Sequence, residues 1–229
     1  GYVLSPKSKS YHALDSFVYE YVNCGGTKDN LKIEINYMLR CHVLPVARRE
    51  VRLPWNEEKL TVFSVAPLEI FASKTVALLT RTAPRDLYDM HNMVKFGLFD
   101  ESEEAMLRKC VVFYSAIGSA QPPEKFELNN IGNVSFRQIK RDLNSVLRKG
   151  ERLDLEFVQK EVKDYLTSVL VPTKEEKLFW KAFSEGNYYP DWVFGDSDEF
   201  RNVAKHPMAL WKCRDKEEDK KPMDKDHEK

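Results

Sequence analysis

Apolar and polar positions alternate with period two over the first third of the chain. Residues 16–23 (SFVYEYVN) put Phe17, Tyr19 and Tyr21 on one face and Val18 and Val22 on the other, which predicts a strand. Residues 31–39 (LKIEINYML) repeat the pattern, with Leu31, Ile33 and Ile35 opposite Lys32, Glu34 and Asn36. Gly25-Gly26 between them predicts an antiparallel hairpin. Residues 46–54 form a weak strand pattern ending at Pro54, and residues 60–65 a short one. Residues 1–10 read as a loop or strand remnant.

From Pro67 the period changes to that of a helix. The pattern predicts helices over Pro67 to Thr80 and over Pro84 to Lys95, with Gly97 placed to end the second. Further helices are predicted over 101–118, over 135–150 with Gly150 as its stop, and over 153–171 with Pro172 beyond. Thr173 and Glu176 have the spacing of a capping box, opening a helix to about Ser184. An aromatic loop at 185–196 and a helical piece at 197–212 follow, and the tail from Arg214 is charge of both signs. The fold class is therefore α+β, a small, mostly antiparallel sheet followed by a helical C-terminal half. The expected organisation is a strand-bearing domain over 1–97, a helical domain over 98–213 and a tail over 214–229.

Composition narrows the function. The 229 residues balance 36 Lys and Arg against 36 Asp and Glu, so no overall field draws nucleic acid and any such binding needs a local patch. The 4 cysteines show no Cys-x-x-Cys spacing, which suggests reduced thiols and a cytoplasmic protein. His42 beside Cys41 fits a strand position better than a metal ligand. No apolar run is long enough to span a bilayer, so no membrane partner is expected. The chain opens at Gly1 without methionine, as a fragment of a longer protein would.

The candidate chemistry lies in residues 74–89, KTVALLTRTAPRDLYD. Ile70, Phe71, Ala77 and Leu78 make one apolar face, and Lys74 falls on its Ile70/Ala77 flank with Arg81 one repeat further on. Pro84 stops that helix and suits the first turn of the next. Asp86 and Asp89 then share one side of the second helix near its N-terminus, where the dipole favours carboxylates. Two cations and two acids across a tight corner can hold a phosphate and a metal-bound nucleophile. The same residues also suit purely structural roles, since acids favour the first turn of a helix and Lys and Arg stems lie along apolar faces. Glu34, on the polar face of its strand beside Lys32, is the other candidate acid.

LKIEI on a strand, followed by PLEIFASKTVALLTRTAPRDLYDM, closely resembles the AbiEii/AbiGii toxin family of the polymerase-beta-like nucleotidyltransferase superfamily. The likeness covers roughly residues 16–97 well and the C-terminal helices, including HPMALWK, loosely. It implies a nucleotidyltransferase that moves a nucleotide from an NTP to an RNA (tRNA) or protein acceptor with Mg²⁺. It also implies a cognate antitoxin, in a toxin–antitoxin or abortive-infection system. Carried over residue by residue, Glu34 matches the third, metal-binding acid, Lys74 the phosphate-contacting lysine, and Asp89 with Asp86 the acidic motif after it. Arg81 and Arg85 become supporting nucleotide-binding positions. The family's opening glycine-rich turn with its carboxylate pair has no counterpart, because Gly25-Gly26-Thr27 precedes no Asp-x-Asp. That block is expected upstream of Gly1, which would leave the fragment itself inactive.

Two other readings remain open at this point. One is a degenerate, non-enzymatic relative that serves as a partner-binding module. The other is a metal-dependent nuclease, although Lys32 precedes Glu34 and so reverses the usual Glu-x-Lys order. Arg48, Arg49 and Arg52 could touch an RNA backbone or simply face solvent.

Overall fold

The structure is a computed structural model that describes residues 1–37, 41–51, 59–148 and 150–219, with residues 215–219 in backbone only. Residues 38, 39 and 52–54, which end two of the expected strands, lie outside the described residues, as does the tail beyond 219. The chain divides into two compact units, Gly1–Cys41 and His42–Lys229.

The first unit is a four-stranded antiparallel sheet. Its central strand is β3 (Leu14–Val22), flanked on one side by β4 (Lys28–Asn36) and on the other by β1 (Val3–Leu4) and β2 (Lys9–Tyr11). The β3–β4 register runs from Leu14 opposite Asn36 to Val22 opposite Lys28. This is the expected hairpin across the glycine turn. Asn23 closes it, its Oδ1 accepting from the amides of Gly25 at 3.0 Å and Thr27 at 3.1 Å. Gly26 takes φ 74°, a left-handed conformation that a side chain would strain. Between β1 and β2 the serines continue the ladder: Ser5 donates its amide to the Val18 carbonyl at 2.8 Å, and the Val18 amide donates to Ser8 Oγ at 3.0 Å.

The second unit opens with a two-stranded antiparallel ribbon, β5 (Ala47–Val51) and β6 (Leu60–Ser64). Helices follow: α1 (Pro67–Arg81), α2 (Pro84–Lys95), α3 (Glu101–Gly118), α4 (Phe136–Asp142), α5 (Leu155–Val169), α6 (Lys174–Ser184), α7 (Asp191–Phe194), α8 (Arg201–Ala204) and α9 (Pro207–Asp219). The axis of the core is α3, where Leu107, Cys110, Val111, Val112, Phe113 and Ala116 are all fully buried. Its second half, Cys110 to Ile117, is buried all round and has to be covered on every side. Helices α1, α5, α6, α7 and α9 pack on it. Phe113 meets Phe194 edge-on at 5.7 Å and Phe179 at 6.4 Å, and Trp180 donates its Nε1–H to the Val112 carbonyl at 2.9 Å.

Several expectations need correction. The helix expected over 135–150 ends at Asp142. Asn144 and Ser145 follow, residues that compete with the backbone for hydrogen bonds, and the Asn144 amide reaches back to the Ile139 carbonyl at 3.0 Å. The piece expected over 197–212 is a short 3-10 helix (Asp198–Phe200) and two α-helices, because Pro207 cannot continue α8 and begins α9. Helix α9 carries on through Arg214 to Asp219, so the charged stretch, expected to be solvated or a frayed helix, begins as helix. Helices α1 and α2 pack with the later helices in the second unit.

Candidate functional site

Helices α1 and α2 owe their angle to a three-residue corner. Thr82 closes α1 with φ 51° and ψ 49°, donating its amide to the Leu78 carbonyl at 3.0 Å. Left-handed backbone at a β-branched residue is strained by roughly 1–2 kcal/mol, so the surrounding packing imposes it. Ala83 is extended, as the residue before a proline must be, and Pro84 starts α2 at its first turn. The corner thus turns the chain sharply enough for side chains of the last turns of α1 to meet those of the first turns of α2.

Two ion pairs result. Lys74 Nζ lies 2.5 Å from Asp89 Oδ2, with the two side chains 37% and 35% exposed. Beside them Thr75 Oγ1 donates to Met90 Sδ at 3.4 Å, which keys α1 to α2 at the level of the pair. One turn along, Arg81 holds Asp86 with two bonds of 2.7 Å, Nε to Oδ2 and Nη2 to Oδ1. Asp86 is 4% exposed, whereas the Arg81 side chain is 66% exposed. The bidentate carboxylate raises the Arg81 guanidinium above its ordinary value.

The buried face of α1 is turned from the one expected. Leu68, Glu69, Ala72, Thr75 and Leu78 point inward, while Ile70 is 38% exposed. Lys74 therefore sits at the margin of the interior, next to Thr75, with its ammonium at a partly open edge. Arg85 is exposed on α2. Its charge, together with the paired Arg141, holds the Asp142 carboxyl below the usual carboxylate range, the Arg141 hydrogen bond being the larger cause.

Glu34 belongs to the first unit, on β4 across from Ser16, and pairs with Lys32 at 2.6 Å. Lys74 and Asp89 are thus brought together, Arg81 and Asp86 form their own pair, and Glu34 has a lysine of its own strand. On the ribbon, the Arg48 guanidinium lies 4.7 Å over the Phe63 ring, Arg49 is exposed, and Arg52 is outside the described residues.

Sequence reasoning missed the acid of α1. Glu69 is 1% exposed and accepts from the amides of Val43 at 2.9 Å and Leu44 at 3.0 Å, and from the Tyr114 hydroxyl. His42 Nδ1 stands 3.3 Å away. One carboxylate thereby ties the segment 42–44, α1 and α3 together, so Lys74 projects from a fixed helix. The signal was present only faintly: Glu69 precedes Ala72 by three positions, which puts an acid on a small-residue, inward face. His91 with Glu161 at 2.5 Å, and Arg108 with Glu176 at 3.1 Å, brace α2 to α5 and α3 to α6. These partners lie 70 and 68 residues apart, and no local pattern links them.

No helix among the described residues is long and apolar enough to cross a membrane. No curated protein and no solved structure matches the chain. A family model described as "Nucleotidyl transferase AbiEii toxin, Type IV TA system" matches residues 7–181. That span begins before β2, ends within α6 and contains Glu34, Lys74, Arg81, Arg85, Asp86 and Asp89. The chain belongs to the AbiEii nucleotidyl transferase toxin family of type IV toxin–antitoxin systems, and a cognate antitoxin goes with that membership.

Proposed function

We propose that the protein acts as the toxin of its pair by transferring a nucleotide from an NTP to an RNA or protein acceptor. The observation that carries this reading is the Lys74–Asp89 pair at the open edge of the α1–α2 corner. A half-solvated pair of this kind contributes only about 0–1 kcal/mol to stability, so either partner can change allegiance at little cost. A triphosphate entering the corner takes the Lys74 ammonium as a compact counter-charge. Asp89 is then released to accept the proton of the acceptor hydroxyl as that oxygen attacks the α-phosphorus. The bond to pyrophosphate breaks in the same displacement, and the leaving charge stays against Lys74. Positioning and charge stabilisation supply most of the acceleration in such transfers.

Asp86 serves this arrangement by holding Arg81, whose outer edge is exposed on the same corner. Arg85 adds a second guanidinium for the phosphates. Mg²⁺ belongs to the proposal only as the ion that accompanies the triphosphate. Among the described residues, no three His, Cys, Asp or Glu side chains gather as a metal site, so these side chains alone do not fit a complete one.

Transfer of labelled nucleotide from each NTP to total RNA and to protein, by wild type, Lys74→Ala and Asp89→Ala, tests the reading. Each variant is expected to lose on the order of 100-fold in transfer while melting close to wild type. Wild-type transfer by both variants removes the site assignment. Tight partner binding by a wild type that transfers nothing would favour the non-enzymatic module.

A further inference from the structure

We propose that a pocket at the C-terminal end of the helical unit binds one base and its phosphate from a single-stranded polynucleotide. The pocket, of about 660 Å³, lies between the loop after α6 and the start of α9, and its walls include Asn187, Tyr189, Lys205, Pro207, Leu210 and Arg214. That volume suits one nucleotide unit. All of it lies beyond residue 181, where the family match ends, and it shares no side chain with the Lys74 corner.

Three observations select the ligand. The first is an aromatic platform: Tyr189 stacks on Trp192 with ring centroids 4.7 Å apart and planes at 27°. The two rings are 43% and 38% exposed, a large apolar area to leave in water. Stacked aromatic rings at a surface suit the flat faces of bases, which any sequence provides. The second is charge. Lys205 and Arg214 line the pocket, and among the described residues its walls include no carboxylate and neither cation has an ion-pair partner. Two such cations on a chain of zero net charge are a local patch that suits phosphate. The third is rigidity. Gly186 takes φ 92° to turn the chain out of α6, the Asn187 amide returns to the Ala182 carbonyl at 2.9 Å, and the Tyr188 hydroxyl donates to the Val203 carbonyl at 2.5 Å. The loop that carries Tyr189 is therefore held before any ligand arrives, and little ordering is needed on binding.

This site goes beyond the transfer reaction and does not depend on it. Binding of labelled oligoadenylate and oligodeoxyadenylate to the whole protein, followed by fluorescence anisotropy over a range of salt, separates the two. Tyr189→Ala is expected to weaken binding on the order of tenfold, and Tyr189→Phe to retain it. Lys205→Glu with Arg214→Glu is expected to weaken binding and flatten its salt dependence. Lys163→Ala, on the exposed face of α5 and outside both sites, is expected to bind as wild type does. Equal affinity for the two strands marks recognition by stacking and phosphate alone, and preference for the ribose strand adds a 2′-hydroxyl contact; both support the site. The proposal is overturned if wild type binds neither strand, if binding survives in the pocket variants, or if those variants lose only a protein partner. Should Tyr189→Ala not fold by circular dichroism, the two charge reversals, both at exposed positions, carry the test.

Discussion

Asp86 is buried at the start of α2 and Arg81, mostly exposed at the end of α1, grips both its oxygens at 2.7 Å. The neighbouring Lys74–Asp89 pair has both partners about a third exposed. The same kinds of charge thus stand in two different media, and the medium decides what each is worth. Removing Arg81 leaves a carboxylate desolvated and unpaired, a loss of about 1–3 kcal/mol even after allowance for the exposed guanidinium. Removing Lys74 leaves Asp89 in reach of water, a loss of about 0–1 kcal/mol. Urea unfolding of Arg81→Ala and Lys74→Ala checks the contrast. Equal destabilisation would mean that the two pairs share one structural role.

Glu69 gives a second prediction. Its carboxylate accepts from two backbone amides and from Tyr114, and Glu69→Gln would turn an amide NH₂ toward donors. The variant is expected to be about 1–3 kcal/mol less stable, because a buried donor is left without an acceptor. Tyr114→Phe removes one donor and leaves the rest satisfied, so it should cost less. Chemical unfolding of both variants orders them, and the reverse order would show that Tyr114 rather than Glu69 holds the junction.

The cysteines should differ sharply in reactivity. Cys110 is fully buried in α3, and burial pushes its thiol well above the ordinary value, with the nearby Glu69 charge acting in the same direction. Cys24 is exposed at the tip of the β3–β4 hairpin. Alkylation at neutral pH with peptide mass spectrometry should label Cys24 promptly and Cys110 only as fast as the core opens. Prompt labelling of Cys110 would show that α3 is not the sealed centre of the unit.

Acid should selectively weaken the start of α3. Asp100 caps that helix, accepting from the Ser102 amide at 2.9 Å and the Glu103 amide at 3.0 Å. The Ser102 hydroxyl first, and the Glu103 amide after it, hold its carboxyl below the ordinary value. A depressed folded value means that the carboxylate stabilises the fold above the unfolded value of about 3.9 and ceases to do so as pH falls through the lower folded one. Asp100→Ala should therefore melt below wild type at neutral pH, and the gap should narrow as the pH is taken below about 4. Melting curves across that range decide it, and a gap independent of pH would count against the carboxylate as its source.

Much of the local architecture was legible because its causes lie within a few residues. Pro84 and Gly97 bracket α2, which runs Pro84–Lys95 as its pattern predicted. Thr173 and Glu176 form the expected capping box, with the Glu176 amide donating to Thr173 Oγ1 at 3.2 Å. The Gly25-Gly26 turn lies between two alternating strands and closes them as a hairpin. What escaped was what depends on distant partners. Glu176 also meets Arg108 of α3, and nothing near it in the chain reveals that second role. The α4 pattern ran on to Gly150 because periodicity records apolar faces and does not weigh Asn144 and Ser145 as breakers.

By itself, then, the order of residues determined the α+β class, the corner at Thr82–Pro84 and the string of charges around it, since period, proline and capping chemistry act over one or two turns. Only the tertiary structure decided which charges are sealed and which stay open. Lys74 and Arg81 look alike in the chain, each a cation facing an aspartate across the corner. Burial of Asp86 and exposure of Asp89 separate them, because the strength of a charge depends on the water around it and that is set by packing from the whole unit.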